Sequence, residues 1–119
     1  MLIEKKNIRI KKISKEIKKK ISIILIKKIK DPRIKLANIS NIYISKDLSY
    51  LNIFITFLNN NNYIECKKNI IIMQNASNFF RKMLKKDMYL RVIPKIKFIY
   101  DFKAIKNINL YNKIKKIFN

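Results

Sequence analysis

The chemically active side chains of this chain are overwhelmingly cationic. Lysine and arginine number 29 among 119 residues, against 7 aspartates and glutamates, for a formal net charge of +22. Such an excess attracts polyanions, either a nucleic acid or an acidic membrane surface. The sequence also holds 27 isoleucines, 25 lysines, 15 asparagines and no glycine. An AT-rich genome produces this bias by itself, so the charge alone does not identify the partner.

The other ionisable groups do not form a recognisable active site. The acidic residues are scattered without paired or metal-ligand spacing: Glu4, Glu16, Asp31, Asp47, Glu65, Asp87 and Asp101. The chain has no histidine and one cysteine, Cys66, which is expected to be a small apolar residue. These counts exclude a disulfide framework, a Cys/His zinc site and histidine-based catalysis. We therefore predict a protein that is not an enzyme and uses no cofactor, metal or small-molecule substrate.

The chain shows no sign of a membrane span or a secretion signal. The longest apolar run, residues 21–26, is flanked by lysines and is far shorter than the roughly 18 residues that a span requires. The amino terminus meets a charge at Glu4 and lacks the apolar core of a signal peptide. Together with the single cysteine, these features predict a cytoplasmic protein.

Residues 8–30 have the pattern of an amphipathic helix. Isoleucines recur at steps of three and four and form one apolar stripe: Ile10, Ile13, Ile17, Ile21 and Ile24. Lysines occupy the opposite side, and the Asp31-Pro32 pair ends the helix because a residue before proline avoids helical geometry. A basic helix of this kind leaves a membrane-surface role open, provided that the stripe is free to meet lipid.

The rest of the chain alternates between strand and helix patterns. Residues 39–58 predict a β-hairpin with a turn at 46–49, where Asp and Ser can bond their own backbone. Residues 63–86 predict one helix or two, and residues 88–100 return to strand periodicity. The order αββααβ predicts an α+β fold, with a three-stranded sheet and helices packed on one face. We expect the folded domain to span residues 1–102, followed by a basic tail at 103–119.

Periodicity also predicts which side chains share a face. In residues 76–85, an apolar stripe should lie opposite a polar face that contains Asn78, Arg81, Lys82 and Lys85. In residues 88–100, Leu90, Val92, Ile96, Phe98 and Tyr100 should share one face, and Arg91, Lys95 and Lys97 the other. Pro94 interrupts this strand and indicates an edge strand or a bulge. Tyr43 and Phe54 are out of phase in the hairpin; either they pack under a helix or loop, which we favour, or they stack on bases.

Five stretches resemble one protein family, in its order and spacing. They are DPRI at 31–34, SKDLSY at 45–50, IFITFL at 53–58, ASNFFR at 76–81 and LRVIPKIKFIYD at 90–101. Together they make the chain similar to ribosome-binding factor A over roughly residues 5–105. The resemblance implies a type II KH-like domain, whose element order agrees with the order read from periodicity. The family has Ala-x-Gly between its last two helices, whereas this chain has Ala76-Ser77-Asn78, with asparagine as the best substitute for a left-handed or kinked backbone.

The resemblance also implies where RNA would bind. KH domains hold RNA in the groove beside the helix–helix junction and the neighbouring strand. In this chain that groove would offer cations for phosphates and amides or hydroxyls for positioning: Asn75, Ser77, Asn78, Arg81, Lys82, Lys85, Arg91, Lys95 and Lys97. The alternative is a solvated helix face, with Arg81 and Arg91 in ion pairs to Asp87 or Asp101. Arg33 is expected to tie down the turn after Pro32.

The implied role is that of a monomeric assembly factor. By resemblance, the protein would associate with free 30S subunits and 16S rRNA, and would aid late maturation and processing of the 16S rRNA 5′ end. Two other hypotheses remain open from the residues themselves. One is a permanent ribosomal protein, which is equally small and basic, and the other is the membrane-surface protein described above.

Overall fold

The architecture follows the predicted order of elements. The computed structural model describes residues 2–58, 60, 62–88 and 90–104. Its elements are helix α1 (Leu2–Lys27), strands β1 (Ala37–Ile44) and β2 (Tyr50–Phe57), helices α2 (Tyr63–Asn75) and α3 (Ser77–Met88), and strand β3 (Lys95–Tyr100). Most of the predicted tail, residues 105–119, lies outside the described residues, so the domain boundary at 102 stays a prediction.

The three strands form one mixed sheet in the order β1-β2-β3. β1 and β2 form an antiparallel hairpin, whereas β3 runs parallel to β2 because α2 and α3 carry the chain back across the sheet. The register places Leu51 beside both Ile44 and Ile96, and Ile53 beside Phe98. Side chains alternate along a strand, so these residues share one apolar face.

All three helices cover that apolar face, as predicted. Ile17 and Ile21 of α1 are completely buried, and Ile24 nearly so, in the same cluster as Leu51 and Ile53. The isoleucine stripe therefore belongs to the core and is not available to lipid, so the condition for the membrane-surface hypothesis is not met. No helix among the described residues is long and apolar enough to span a membrane.

Both ends of α1 differ from those predicted. α1 begins at Leu2, before the predicted start at residue 8, and ends at Lys27, three residues before the predicted end. The helix therefore ends before the residue next to Pro32. α2 begins at Tyr63, where the predicted helical stretch begins, and the side-chain oxygen of Asn62 accepts a hydrogen bond from the Glu65 N–H at 3.0 Å. Asparagine is one of the favoured N-cap residues because it satisfies an amide that has no intrahelical partner.

The hairpin turn is built as the sequence predicts. An Asp47 carboxylate oxygen accepts hydrogen bonds from the Ser45 and Ser49 hydroxyls, both at 2.7 Å, and from the Ser49 N–H at 3.1 Å. These bonds lower the pKa of Asp47 to about 2, with the Ser49 hydroxyl the largest cause. Leu48 is the one described residue with a positive φ, 61°, a left-handed geometry that glycine would adopt at less cost. Its side chain compensates by packing against the core.

The last strand is shorter than its periodicity suggests. β3 starts at Lys95, and described residues 90–94 form an irregular approach to it. Val92 is 63% exposed, so the prediction that it shares a face with Phe98 is wrong. The regular strand starts only after Pro94, because Pro94 is fully buried and has no N–H to donate to a neighbouring strand. As its proline indicated, β3 is an edge strand.

Candidate nucleic-acid interface

A tight corner with right-handed backbone geometry joins α2 to α3. Ala76 adopts φ −93° and ψ 7°, and its carbonyl oxygen accepts from the Phe79 N–H at 3.0 Å and the Phe80 N–H at 3.3 Å. Ser77 and Asn78 therefore begin α3 directly. Of the two backbone geometries predicted for this position, the left-handed one is wrong, because the corner has no positive φ; the chain instead kinks at Ala76 between two helices. The first amides of α3 instead form an ordinary helix start, where the helix dipole favours negative charge.

Asn75, Ser77, Asn78, Lys82 and Lys85 form what we call the junction surface. Asn75, Asn78, Lys82 and Lys85 are exposed and Ser77 is half-buried. Asn78, Lys82 and Lys85 follow one another at steps of three and four, and Phe80 and Leu84 are buried on the other side of α3. This arrangement agrees with the predicted polar face and presents two cations and several hydrogen-bonding groups to solvent.

Arg81 does not lie on that free face. Its guanidinium Nε donates to the Pro94 carbonyl oxygen at 3.1 Å, and its Nη2 donates to the Ile93 carbonyl oxygen at 3.3 Å. The side chain is half-buried and joins α3 to the segment that precedes β3. The predicted alternative, an ion pair to Asp87 or Asp101, is also wrong for Arg81, since its partners are backbone carbonyls.

The other arginines have different roles. Arg91 is exposed in the segment before β3. Arg33 donates twice to the Asp31 carboxylate, at 2.7 and 3.0 Å, and makes the one ion pair found among the described residues. These hydrogen bonds lower the pKa of Asp31 and raise that of Arg33. Arg33 thus closes the turn around Pro32, as predicted.

Lys95 and Lys97 lie on the side of the sheet away from the helices. Ile96 and Phe98 are buried beneath the helices, and the exposed lysines alternate with them along β3. The nine predicted residues are therefore not one cluster, because the sheet separates these two lysines from the junction surface. Lys97 still reaches the helix side at the sheet edge, where it lines a groove between α2 and β3.

This groove has a volume of about 450 Å³ and runs along the free edge of β3. On the same edge of β3, the Gln74 side chain forms the hydrogen bonds that a neighbouring strand would form: its amide N–H donates to the Ile96 carbonyl at 3.0 Å, and its amide oxygen accepts from the Phe98 N–H at 2.9 Å. Within the groove, the ring of Tyr63 packs edge-on against Tyr100 and Phe102, with centroid distances of 5.9 and 5.6 Å. Part of the β3 edge thus has its backbone hydrogen-bonding groups paired with Gln74, and another part is lined by aromatic rings.

Sequence reasoning named Lys97 of this groove but missed Lys67 in the groove and Gln74 next to it. Lys67 lies with its ammonium 5.2 Å from the Tyr63 ring centroid, which brings a cation and an aromatic ring together at the groove. Gln74 was not singled out, although it makes the most specific contact to β3. Tyr63 and Lys67 are four positions apart on α2, a spacing that the sequence does contain. No local signal identifies Gln74, because its partners Ile96 and Phe98 are 22 and 24 positions away in the chain.

Two ionisable groups are buried beneath this region. Cys66 is fully buried, and its thiol donates to the Asn60 carbonyl at 3.5 Å. Burial raises the pKa of Cys66 and raises that of Tyr100 to about 12. Both groups remain neutral near pH 7, and Cys66 behaves as the small apolar residue that was predicted.

The structure brings together cations, amides and aromatic rings, without a recognisable catalytic arrangement in the described residues. A family profile for ribosome-binding factor A matches residues 9–115. Among curated proteins, the chain is 50% identical over 99 residues to ribosome-binding factor A of Wigglesworthia glossinidia brevipalpis, covering 83% of this chain and 79% of that protein. It is 40% identical over 109 residues to the Blochmanniella floridana protein of the same name, covering 92% and 93%.

Solved structures agree with this fold. The solution structure of a Thermotoga maritima protein assigned as a ribosome-binding factor A superposes with a TM-score of 0.68 and 30% identity, covering 78% of this chain and 87% of that one. The crystal structure of ribosome-binding factor A from Thermus thermophilus gives a TM-score of 0.66 at 16% identity, covering 76% and 93%. A homology model of the Thermus protein has been fitted into an electron cryo-microscopy map of its complex with 30S. It superposes with a TM-score of 0.59 and 17% identity, covering 73% of this chain and 89% of that one.

Proposed function

The chain belongs to the ribosome-binding factor A family, and we propose that it is a non-enzymatic assembly factor that binds the free 30S subunit. The observation that carries the proposal is the junction surface, where Lys82 and Lys85 are exposed along α3 on the same face as Asn78 in its first turn. Both features attract phosphate. The related Thermus protein has been fitted into a map of a 30S complex, which supports the same partner here.

We assign the 16S rRNA contact to the junction surface and to the groove between α2 and β3. Asn75, Ser77 and Asn78 would position the RNA backbone, while Lys82 and Lys85 neutralise phosphates. Arg91, Lys95 and Lys97 would extend the positive field around the edge of β3. Arg81 is a positioning residue in this scheme, since its guanidinium holds α3 against the start of β3.

The biological role proposed is late maturation of the small subunit, including processing of the 16S rRNA 5′ end. The protein would act in the cytoplasm, as a monomer and without a cofactor, by favouring one rRNA conformation through charge and shape. It would leave when the mature rRNA no longer presents that shape. The family membership supports this role, and the scattered acidic residues offer no grouping for hydrolytic chemistry.

Sedimentation of cell extracts tests the proposed role against the alternative of a permanent ribosomal protein. An assembly factor should migrate with free 30S particles and be absent from translating ribosomes. Its deletion should also increase the amount of 16S rRNA with an unprocessed 5′ end. Equal amounts in translating ribosomes and in free subunits would instead favour a permanent component, which the small size and strong basicity of the chain also allow.

The salt dependence of purified 30S binding tests the electrostatic part of the proposal. If about six phosphates are neutralised, log affinity should fall against log salt with a slope of roughly −4 to −5. The measurement needs only fluorescence titrations between about 50 and 300 mM salt. A slope near zero would contradict docking by phosphate contacts, even if sedimentation with 30S particles were observed.

A further inference from the structure

The sheet has a second face, of which the proposed interface uses only Lys95 and Lys97 on β3. We define the outer face as the side of the sheet away from the helices. The strand register assembles its centre from Tyr43, Tyr50, Asn52, Phe54, Lys95 and Lys97. Side-chain alternation places each of them opposite a core residue of the same strand, such as Leu51 or Ile96.

Aromatic residues occupy neighbouring positions on this face. Tyr43 pairs directly with Asn52, so Tyr50 and Phe54 occupy the two diagonal positions around it, each about 7–8 Å away. Tyr43 is 57% exposed and Tyr50 58% exposed, while Phe54 is half-buried. The expectation that Tyr43 packs under a helix or loop is therefore wrong. A scattered surface aromatic is ordinary, but grouped exposed rings mark an interaction surface.

Cations are interleaved with these rings. Lys95 pairs with Tyr50, and Lys97 pairs with Asn52 next to Tyr43. The outward positions of the paired strands carry no acidic side chain. The nearest acids in sequence are Asp47 and Asp101. Asp47 lies in the hairpin turn and accepts from Ser45 and Ser49. Asp101 lines a pocket with Phe54, at the end of the sheet away from Tyr50, and accepts from the Ser40 hydroxyl and the Ala104 N–H. The face is therefore aromatic and positively charged.

This combination fits unpaired RNA better than a protein partner. Single-stranded nucleic acid binds to surfaces where aromatic rings stack on bases and cations follow the phosphates. Protein interfaces are depleted in lysine at their centres, whereas both lysines lie beside the tyrosines on this face. The net charge of +22 adds to the same preference for a polyanion.

We propose that the outer face of the sheet is a second RNA-contact surface, on which Tyr43 and Tyr50 stack unpaired bases while Lys95 and Lys97 bind the flanking phosphates. Lys97 also lines the groove between α2 and β3, so an RNA strand leaving that groove can continue across the edge of β3 onto this face. This inference rests on the proposed function, because it assumes an RNA partner. It adds a stacking surface centred on the two tyrosines, which should prefer single-stranded RNA.

The test compares two double variants with the wild-type protein. Tyr43→Leu with Tyr50→Leu removes the rings but keeps apolar bulk, whereas Tyr43→Phe with Tyr50→Phe keeps the rings and removes the hydroxyls. The probes are a labelled oligoadenylate of about twelve nucleotides and an RNA duplex of equal length. Thermal melting should show that both variants remain folded, since both tyrosines are exposed.

The expected result is that wild-type protein prefers the single strand and that the leucine variant loses about tenfold or more in oligoadenylate affinity. The phenylalanine variant should stay within about twofold of wild type, and duplex binding should change little. Wild-type affinity in the leucine variant, or an equal loss in the phenylalanine variant, would overturn the proposal. If the wild-type protein binds 30S particles but not oligoadenylate, the second RNA-contact surface is wrong and the proposed function stands. If it binds neither, the proposed function is contradicted as well.

Discussion

The Arg81 guanidinium donates a hydrogen bond to the carbonyl oxygen of Pro94, with 3.1 Å between Nε and the oxygen. A second bond reaches the Ile93 carbonyl, so one side chain satisfies two backbone acceptors in the segment that leads into β3. These acceptors have no strand partner of their own, because β3 begins only at Lys95. Arg81, the arginine nearest the junction between α2 and α3, thus holds the start of β3 in position.

Replacing Arg81 by lysine should reduce stability. An ammonium cannot span both carbonyls with the planar geometry of a guanidinium, and hydrogen bonds to charged groups contribute about 1.5–3 kcal/mol each. Because Arg81 is only half-buried, we expect a loss of about 1–2 kcal/mol in urea unfolding. The same exchange at exposed Arg91 is the control and should change little. Equal effects at the two positions would contradict the positioning role.

Charge reversal on the junction surface should weaken 30S binding without unfolding the protein. Lys82→Glu with Lys85→Glu turns two proposed phosphate contacts into repulsions, so affinity should fall tenfold or more. Stability should change by no more than about 1 kcal/mol, partly through the helix dipole near Lys85. Binding is measured by fluorescence titration, and unfolding by urea.

The matched control for this reversal lies on α1. Lys12→Glu with Lys19→Glu makes the same change in net charge at two exposed positions of another helix. A clearly smaller loss of affinity is expected there. Equal losses from both pairs would show that overall charge drives binding, and the junction surface would then be wrongly assigned even if the assembly role stands.

The Gln74 amide should protect the edge of β3 from solvent exchange. Gln74→Glu keeps an oxygen that can accept from the Phe98 N–H but loses the donor to the Ile96 carbonyl, and it places a carboxylate next to that oxygen. We expect a loss of about 1–3 kcal/mol at pH 7. Amide hydrogen exchange at Phe98 should accelerate. Unchanged exchange would mean that the side chain does not hold this edge in solution.

A charge placed on the isoleucine stripe should prevent folding. Ile17 is completely buried between α1 and the rest of the core, so Ile17→Asp buries an unpaired carboxylate at a cost of several kcal/mol. That is a large share of a total stability of roughly 5–15 kcal/mol. Circular dichroism should show a loss of cooperative melting. The control Ile26→Asp, at a position of α1 that is 76% exposed, should melt close to wild type.

The hairpin turn should make a small contribution to stability that depends on acid pH. The pKa of Asp47 is lowered from 3.8 to about 2 by hydrogen bonds that the carboxylate accepts. A lowered folded-state pKa stabilises the fold above the unfolded value, and this contribution disappears as the pH falls from about 4 towards 2. Ser49→Ala should raise the pKa of Asp47, as followed by carboxyl carbon NMR. No change on removing the Ser49 hydroxyl would contradict the assigned cause.

Local periodicity was sufficient to predict the order of the elements and most of the core, but not the start of β3. The isoleucine stripe of α1 and the alternation in β2 predict burial correctly, because the side chains that must be apolar recur with the period of the element itself. The same reasoning identified the turn at Asp47, since an aspartate there bonds its own backbone neighbours. The αββααβ order then limits the fold to a few arrangements.

Only the tertiary structure decided where the polar and aromatic side chains lie. Arg81 looked like part of an exposed face, yet its partners are 12 and 13 residues away at Ile93 and Pro94. Lys95 looked like part of the groove by the junction, yet parallel pairing places it on the outer face beside Tyr50. Such placements depend on which distant strand or loop lies alongside, and no local pattern in the sequence contains that information.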